Sequence, residues 1–140
     1  MNFAIEDSPE QSAFRAEVRA FLAQNVPANL EHSVDPCDMS YEQYQLRRVL
    51  GRQLGAQGWL YPSMPREYGG GDLSAEQVAI LHDELVRIGL ALPPYYDAGG
   101  RMSAPTILVW GTPAHKERYR TRPDQPRGLG PNLANTTLKF

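Results

Sequence analysis

The side chains that could do acid–base chemistry are scattered along this sequence and form no converging pair. Asp83 and Glu84 are adjacent, and neighbouring side chains on a helix point about 100° apart. Two such carboxylates cannot act together as general acid and general base on one substrate. Glu67 lies in a Pro-Arg-Glu-Tyr-Gly-Gly stretch, where we expect it to brace a turn through backbone hydrogen bonds. The residues alone therefore predict no catalytic side chain.

Metal and nucleophile sites are not supported by residue spacing either. His32, His82 and His115 fit no His-x-x-Glu-His pattern, and Cys37 has no second cysteine for a Cys-x-x-Cys pair. We expect the histidines to lie on the surface or at helix ends, and the thiol to be a bystander. The glycines at 69–71 are not followed by Gly-Lys-Ser or Gly-Lys-Thr, so they predict no phosphate loop. These patterns predict no metal ligand and no cofactor-binding residue.

Composition restricts the class of protein. The chain has 140 residues, a formal net charge of −2 and 41% hydrophobic residues, which is typical of one ordinary globular domain. The balanced charge argues against nucleic-acid binding, and no apolar run approaches the roughly 20 residues that span a bilayer. The first ten residues are acidic and lack the basic and apolar parts of a secretion signal, and a single cysteine fits a reducing compartment. We therefore expect a cytoplasmic protein that binds neither nucleic acid nor membrane.

Three helix starts share one signature. Ser8, Ser40 and Ser74 are each followed three residues later by a glutamine. This is the pattern of a capping box, in which the serine and glutamine side chains satisfy the first backbone N–H groups of a helix. The apolar stripes that follow at helical spacing are Phe14, Val18, Phe21 and Leu22; then Leu46, Leu50 and Leu54; then Val78, Leu81, Leu85 and Ile88.

Proline and glycine mark where these helices end. Pro27, Gly58 and Gly89 follow the three stripes in turn. An apolar segment at 107–110 and a proline-started segment at 113–119 predict two further short helices. No segment shows the period-2 alternation of a strand. The predicted fold is all-α, an antiparallel helical bundle.

A loop rich in aromatic residues and glycine separates the second and third predicted helices. It runs from Gly58-Trp59 through Pro-Arg-Glu-Tyr-Gly-Gly at 65–70 to Leu73-Ser74. Further motifs stand in the same order at 14–22, 83–89, 104–108, 111–113 and 116–119. Each is weak alone, but together they resemble the N-terminal helical domain of the acyl-CoA dehydrogenases, over residues 1–119.

The resemblance implies an FAD-dependent enzyme that removes hydrogen from Cα and Cβ of acyl-CoA thioesters. The hydride goes to the flavin, because no side chain can accept one. In the family a later β-domain holds the flavin, and a C-terminal domain supplies the carboxylate that takes the α-proton. Residues 120–140 resemble neither domain. The chain thus looks like the front third of such an enzyme, which implies that alone it is inactive and does not retain FAD.

Residues 120–140 differ in composition from the part before them. They hold Arg120, Arg122, Arg127 and Lys139 against Asp124, together with three prolines and no apolar periodicity. Such composition is typical of a disordered segment. We expect residues 1–119 to form the folded domain and residues 120–140 to be a disordered basic tail.

The resemblance also implies a substrate contact. In the family the segment before the fourth helix forms one wall of the fatty-acyl cavity, and here that segment is 95–103. Ala98 and Gly99 are small enough to leave room for an acyl group, and Met102 offers an adaptable apolar surface. Tyr95 and Tyr96 complete this wall. Plain packing is the alternative for the large residues, because such side chains are more often core than ligand contacts.

A function of a different class is a non-catalytic helical module that pairs with a separately encoded chain. Large apolar residues are numerous for a bundle with such short stripes. We expect some of them to face water as a patch that favours self-association or a partner chain. The residues concerned are Trp59, Leu60, Tyr61, Tyr95, Tyr96, Met102 and Trp110.

Overall fold

The structure, a computed structural model, describes residues 7–31, 38–95, 97 and 99–119. Its α-helices are α1 (Pro9–Asn25), α2 (Tyr41–Ala56), α3 (Ala75–Arg87), α4 (Ala104–Trp110) and α5 (Pro113–Tyr119). A 3-10 turn, Arg66–Tyr68, lies between α2 and α3, and a π-helical turn, Gly99–Ser103, leads directly into α4. These described ranges contain no strand, and the all-α prediction is confirmed.

Two helices begin with the complete capping box that the sequence predicts. At α1 the Gln11 N–H donates to the Ser8 hydroxyl at 3.2 Å, and the Ser8 N–H donates to Gln11 Oε1 at 2.8 Å. At α3 the same two bonds join Ser74 and Gln77, at 3.2 and 3.1 Å. Each box satisfies two N–H groups in a region where a helix has no intrahelical acceptors.

The third predicted box, at α2, is wrong in one half. The Ser40 hydroxyl accepts from the Gln43 N–H at 3.2 Å as expected, but the buried Gln43 side chain bonds to the preceding loop instead of to Ser40. Its Nε2 donates to the Asn29 carbonyl at 2.9 Å, and its Oε1 accepts from the Glu31 N–H at 3.0 Å. The sequence pattern does not predict this arrangement, because buried backbone groups of a loop also need hydrogen-bond partners. Here the Gln43 side chain satisfies two of them.

We expect Ser74→Ala to lower the free energy of unfolding by about 1 kcal/mol, the typical loss for a serine cap. The substitution removes the acceptor of the Gln77 N–H at the start of α3. Urea unfolding of the variant and the parent measures the loss. Ser63→Ala, at an exposed loop position, is the control and should leave stability unchanged. Equal midpoints for Ser74→Ala and the parent would contradict the prediction.

Glycines end α2 and α3 as the sequence predicts. Gly58 has φ 79° and Gly89 has φ 70°, the left-handed region that a residue without Cβ adopts at little cost. After Gly58 the chain reverses direction, and the Trp59 N–H donates to the Leu54 carbonyl at 2.8 Å. After Gly89 the Leu90 N–H donates to the Leu85 carbonyl in the same way, at 2.9 Å. In both cases the residue after the glycine enters the core at once.

The core forms where the apolar stripes of the first three helices meet, and α1 packs directly against α3. The Trp59 ring meets Phe14 and Phe21 edge-on, with centroids 5.8 and 5.1 Å apart, the geometry that aromatic rings prefer. The loop before α3 is thus part of the core. The buried members of the cluster are Val18, Leu22, Leu30, Leu50, Leu54, Trp59, Leu60, Leu81, Leu85 and Leu90.

A buried ion cluster joins α1 to α3. The Glu84 side chain is only 2% exposed and accepts hydrogen bonds from Arg15 at 3.0 Å, Arg19 at 2.8 Å and Arg87 at 2.9 Å. These bonds, led by that of Arg19, lower the pKa of Glu84 from 4.5 to about 2 although burial opposes the shift. Glu84 is therefore charged at neutral pH, and two of its partners belong to the other helix.

Several expectations fall on residues outside the described ranges. They concern the tail at 120–140, on which the domain boundary after residue 119 depends, together with His32 and Cys37, and they stay predictions. Within the part of the chain that is described, no helix combines the length and hydropathy needed to cross a bilayer.

Candidate functional site

The predicted wall segment begins on the surface of α2. Arg47, buried on α2, donates to the Pro94 carbonyl at 3.0 Å. The Tyr95 ring lies against Gly51, where a Cβ would collide with it, and it meets the Tyr44 ring edge-on at 6.3 Å. Tyr95 therefore packs against α2, as in the alternative interpretation of the large wall residues as packing residues.

Burial decides the chemistry of Tyr95. Its hydroxyl has no hydrogen-bond partner among the described residues. Burial, followed by the charge of Asp97, raises the pKa of Tyr95 to about 12. The side chain therefore stays protonated near physiological pH and is not available there as a phenolate base.

Asp97 organises the turn that follows. The Tyr61 hydroxyl donates to Asp97 Oδ2, the Gly100 N–H donates to Asp97 Oδ1 at 2.9 Å, and the Arg101 N–H donates to the Asp97 carbonyl at 3.2 Å. Gly100 is buried, and a Cβ there would collide with the Tyr61 hydroxyl. Asp97 therefore caps the turn and holds Tyr61 against it. This contact could not be predicted from the sequence, because 36 residues separate its two side chains.

The structure describes three of the five predicted wall residues. Tyr95 is buried, Gly99 is half-buried, and Met102 is 67% exposed. Tyr96 and Ala98 lie outside the described residues. Gly99 and Met102 share the turn at the base of α4, and an acyl contact at this turn stays a prediction.

Apolar side chains in α4 and in the turn before it are exposed to solvent. Met102, Val109 and Trp110 are 67%, 68% and 84% exposed, and we call this surface the α4 face. Residues 104–110 contain no charged side chain, and α4 contacts mainly the Gly99–Ser103 turn and α5. A surface helix without a polar side is unusual, because such helices are normally covered.

The expected apolar patch is confirmed at two residues, Met102 and Trp110. Trp59 and Leu60 lie outside this patch, because the chain turns into the core directly after Gly58, and so does Tyr95, which is buried against α2. Tyr61 is half-buried on the turn. The patch is therefore the α4 face rather than the aromatic loop.

A separate groove of about 640 Å³ lies where α1 and α3 end, a size within the range of small-molecule sites. Of the predicted wall residues that the structure describes, Tyr95, Gly99 and Met102, none lines it. Both of its arginines already bind Glu84. The lining residues are Arg19, Leu22, Ala23, Val26, Pro27, Ala28, Arg87, Ile88 and Gly89.

Gly70 and Gly71 do not fit a flavin site, and Glu84 does not fit a catalytic base. A Cβ at Gly70 would collide with the Met64 backbone, and one at Gly71 would collide with the Gly58 backbone. The space beside these glycines is therefore filled by the chain itself and forms no phosphate cradle. Glu84, with its pKa lowered to about 2, is too weak a base to take a proton from carbon near neutral pH.

The two described histidines are placed as expected. His82 is exposed. His115 lies at the start of α5, where its Nδ1 accepts from the Thr112 N–H at 3.4 Å and its own N–H donates to Thr112 Oγ1 at 3.3 Å. Among the residues that the structure describes, no three His, Cys, Asp or Glu side chains are grouped closely enough to hold a metal ion.

Known proteins contain a segment similar in sequence to this helical unit. The family model "Acyl-CoA dehydrogenase, N-terminal domain" matches residues 8–122. The chain is 29% identical over 118 residues to acyl-CoA dehydrogenase FadE26 of Mycobacterium tuberculosis, an alignment that covers 84% of this chain and 29% of the relative. It is 30% identical over 112 residues to acyl-CoA dehydrogenase IpdE1 of the same organism, covering 78% of this chain and 29% of the relative.

A solved structure has the same fold. The crystal structure of the ChsE4-ChsE5 complex from Mycobacterium tuberculosis matches with a TM-score of 0.57 and 28% identity, over 84% of this chain and 28% of that one. The chain thus spans 29% of the length of the two curated relatives described above. Because the family model covers all five helices, the chain belongs to the acyl-CoA dehydrogenase family, of which it carries the N-terminal domain.

Proposed function

We propose that this chain is the N-terminal portion of an FAD-dependent acyl-CoA dehydrogenase, an oxidoreductase that acts on the CH–CH bond of acyl-CoA thioesters. The observation that carries the proposal is the family match over residues 8–122. We further propose a cytoplasmic location, which is supported by the single cysteine.

The proposed contribution of this chain is one wall of the acyl cavity, at the turn before α4. Met102 is accessible there, and its flexible thioether side chain adapts to apolar groups of different shape. Gly99 adds no side chain that would narrow the space. Tyr95 supports the segment from α2 rather than touching the acyl group.

Binding to an acyl-CoA thioester tests this wall. We expect octanoyl-CoA at millimolar concentration to shift the amide NMR signals of residues 99–103, because an isolated wall binds weakly but locally. Free CoA, which lacks the acyl group, is the matched control and should leave these signals in place. Met102→Ala should reduce the shifts. Identical spectra with octanoyl-CoA and CoA would contradict the proposal.

We expect the chain alone to show no dehydrogenase turnover. Gly70 and Gly71 form no flavin cradle, Glu84 is too weak a base, and the reaction needs both a bound flavin and a base. Dye reduction with a panel of acyl-CoA thioesters and added FAD measures this, with a full-length acyl-CoA dehydrogenase as the positive control. Turnover above the protein-free blank, or yellow colour in the purified protein, would overturn the expectation.

A second candidate function is a non-catalytic helical module that binds itself or a separately encoded chain. The observation that favours it is the α4 face, where Val109 and Trp110 are exposed on a helix without charge and Met102 is exposed in the turn before it. A similar fold occurs in the ChsE4-ChsE5 complex, whose name describes an assembly of two proteins. This candidate requires an association that substitution of Trp110 weakens.

A further inference from the structure

The contact between Tyr61 and Asp97 joins the helical core to α4. Among the described helical elements, α4 contacts mainly the Gly99–Ser103 turn and α5, so how that turn is held helps to set the position of α4 relative to α1, α2 and α3. One oxygen of the Asp97 carboxylate accepts from the Gly100 N–H in the turn, and the other accepts from the Tyr61 hydroxyl. A single carboxylate therefore ties a core loop to the start of α4.

Tyr61 is itself fixed to the core. Two residues before it, Trp59 is buried against Phe14 and Phe21. The Tyr61 carbonyl accepts from the Gly71 N–H at 3.2 Å, which closes the loop behind it. Burial, followed by the hydrogen bond to Asp97, raises the pKa of Tyr61 well above its usual 10. The hydroxyl thus remains a donor throughout the physiological pH range.

The absence of a side chain at Gly100 leaves room for the Tyr61 hydroxyl. It is buried, and a Cβ at this position would collide with the Tyr61 hydroxyl. Any side chain here would displace the phenol from the turn and so disturb its bond to Asp97. The contact therefore depends on steric fit as well as on a hydrogen bond.

We propose that Tyr61 and Asp97 are positioning residues that set where the Gly99–Ser103 turn, and with it Met102 and α4, lies relative to the helical core. We call this pair the Tyr61–Asp97 latch. The latch rests on the proposed function in one respect only, namely that the turn it positions contacts an acyl group. Loss of a hydrogen bond to a charged acceptor shifts a local equilibrium by about tenfold or more, so without the bond α4 and the turn separate from the core more often.

Amide hydrogen exchange in the full 140-residue chain tests the latch. Tyr61→Phe keeps the ring and removes the donor, and we expect exchange at residues 107–111 to rise about tenfold. Exchange at Leu81 and Leu85 in α3 should not change. Tyr68→Phe, at a second half-buried tyrosine of the same loop, is the matched control and should behave like the parent. Unchanged exchange at 107–111 in Tyr61→Phe, or an equal rise in α3, overturns the proposal.

Two further variants show whether the side chains act through each other. In an Asp97→Ala background, Tyr61→Phe should add no further exchange in α4, and additive effects would overturn the latch. Gly100→Ala, which displaces the hydroxyl while leaving both partners in place, should also raise exchange at 107–111. The Gly100→Ala variant still tests the latch if Asp97→Ala fails to fold. Exchange at 107–111 equal to that of the parent in Gly100→Ala would also overturn the latch.

Adding octanoyl-CoA separates the latch from the proposed function. If Tyr61→Phe loosens α4 but the thioester leaves residues 99–103 of the parent unchanged, the latch is supported and the acyl wall is wrong. If the thioester shifts these residues but Tyr61→Phe leaves α4 exchange unchanged, the wall is supported and the latch is overturned. If Tyr61→Phe both loosens α4 and weakens the thioester-induced shifts, both are supported.

Discussion

Glu84→Gln is expected to lower the free energy of unfolding by about 2 kcal/mol, because it breaks the ion cluster between α1 and α3. Removing one partner of a buried ion pair typically costs about 3–5 kcal/mol. The expected loss here is smaller, since the Arg19 and Arg87 side chains are 53% and 55% exposed and can be hydrated when their acceptor is lost. Urea unfolding followed by circular dichroism measures the difference.

Asp83→Asn is the matched control. Asp83 is the neighbouring carboxylate, its side chain is 67% exposed, and it lies 4.0 Å from Arg15 Nη1. An exposed pair of this kind contributes little, so the variant should stay within about 0.5 kcal/mol of the parent. Equal losses for Glu84→Gln and Asp83→Asn would show that the cluster has no special role.

The same carboxylate gives a pH dependence whose sign follows from its pKa. That pKa is about 2 in the folded chain against 4.5 ordinarily, so between these values the unfolded state binds more protons. The stabilisation is complete above about pH 4.5 and is lost as the pH falls towards 2. The parent should therefore lose stability more steeply than Glu84→Gln over this interval. Parallel slopes would contradict the assignment.

The features that the sequence predicts correctly are local ones. The capping boxes at Ser8 and Ser74 and the glycines behind α2 and α3 depend on residues within one turn of each other. The apolar stripes depend only on helical spacing. The all-α fold follows from these signals, and no long-range contact is needed to infer it.

The contacts that the sequence did not predict join distant residues. Glu84 pairs with Arg15 and Arg19 across 69 and 65 residues. One signal could have found it: Glu84 lies within the stripe that contains Leu81 and Leu85, so helical spacing places a charge on the buried face of α3, where it needs partners.

The course and contacts of the candidate segment could not be predicted from the sequence, for a different reason. Segment 95–103 is irregular until α4 begins, and its course is set by two close approaches, the Tyr95 ring on Gly51 and the Tyr61 hydroxyl on Gly100. Periodicity carries no information on such contacts. The resemblance located the segment, but only the structure shows that Tyr95 packs against α2 and that Asp97 holds the turn.

Trp59→Ala is expected to have the largest effect on stability, a loss of about 3–5 kcal/mol. Trp59 is only 4% exposed, and its ring is the edge-on partner of both Phe14 and Phe21. Its removal leaves a cavity between α1 and the loop that precedes α3. Because small domains are stable by only about 5–15 kcal/mol in total, the variant should unfold at a much lower urea concentration than the parent.

Trp110→Ala is the matched control, at the second tryptophan. This residue is 84% exposed on the α4 face, so its loss should change the free energy of unfolding by less than about 0.5 kcal/mol. A loss as large as that of Trp59→Ala would contradict the assignment of one tryptophan to the core and the other to the surface.

Comparing Trp110→Ala with the parent also tests the second candidate function, the non-catalytic module that associates through the α4 face. Removing the largest apolar group from the α4 face should weaken concentration-dependent light scattering and binding of a hydrophobic dye, because both depend on exposed apolar area. If the parent is a monomer that binds no dye, the α4 face is not adhesive, and the second candidate loses the observation that favours it. The acyl wall would then be the function that the exposed Met102 supports.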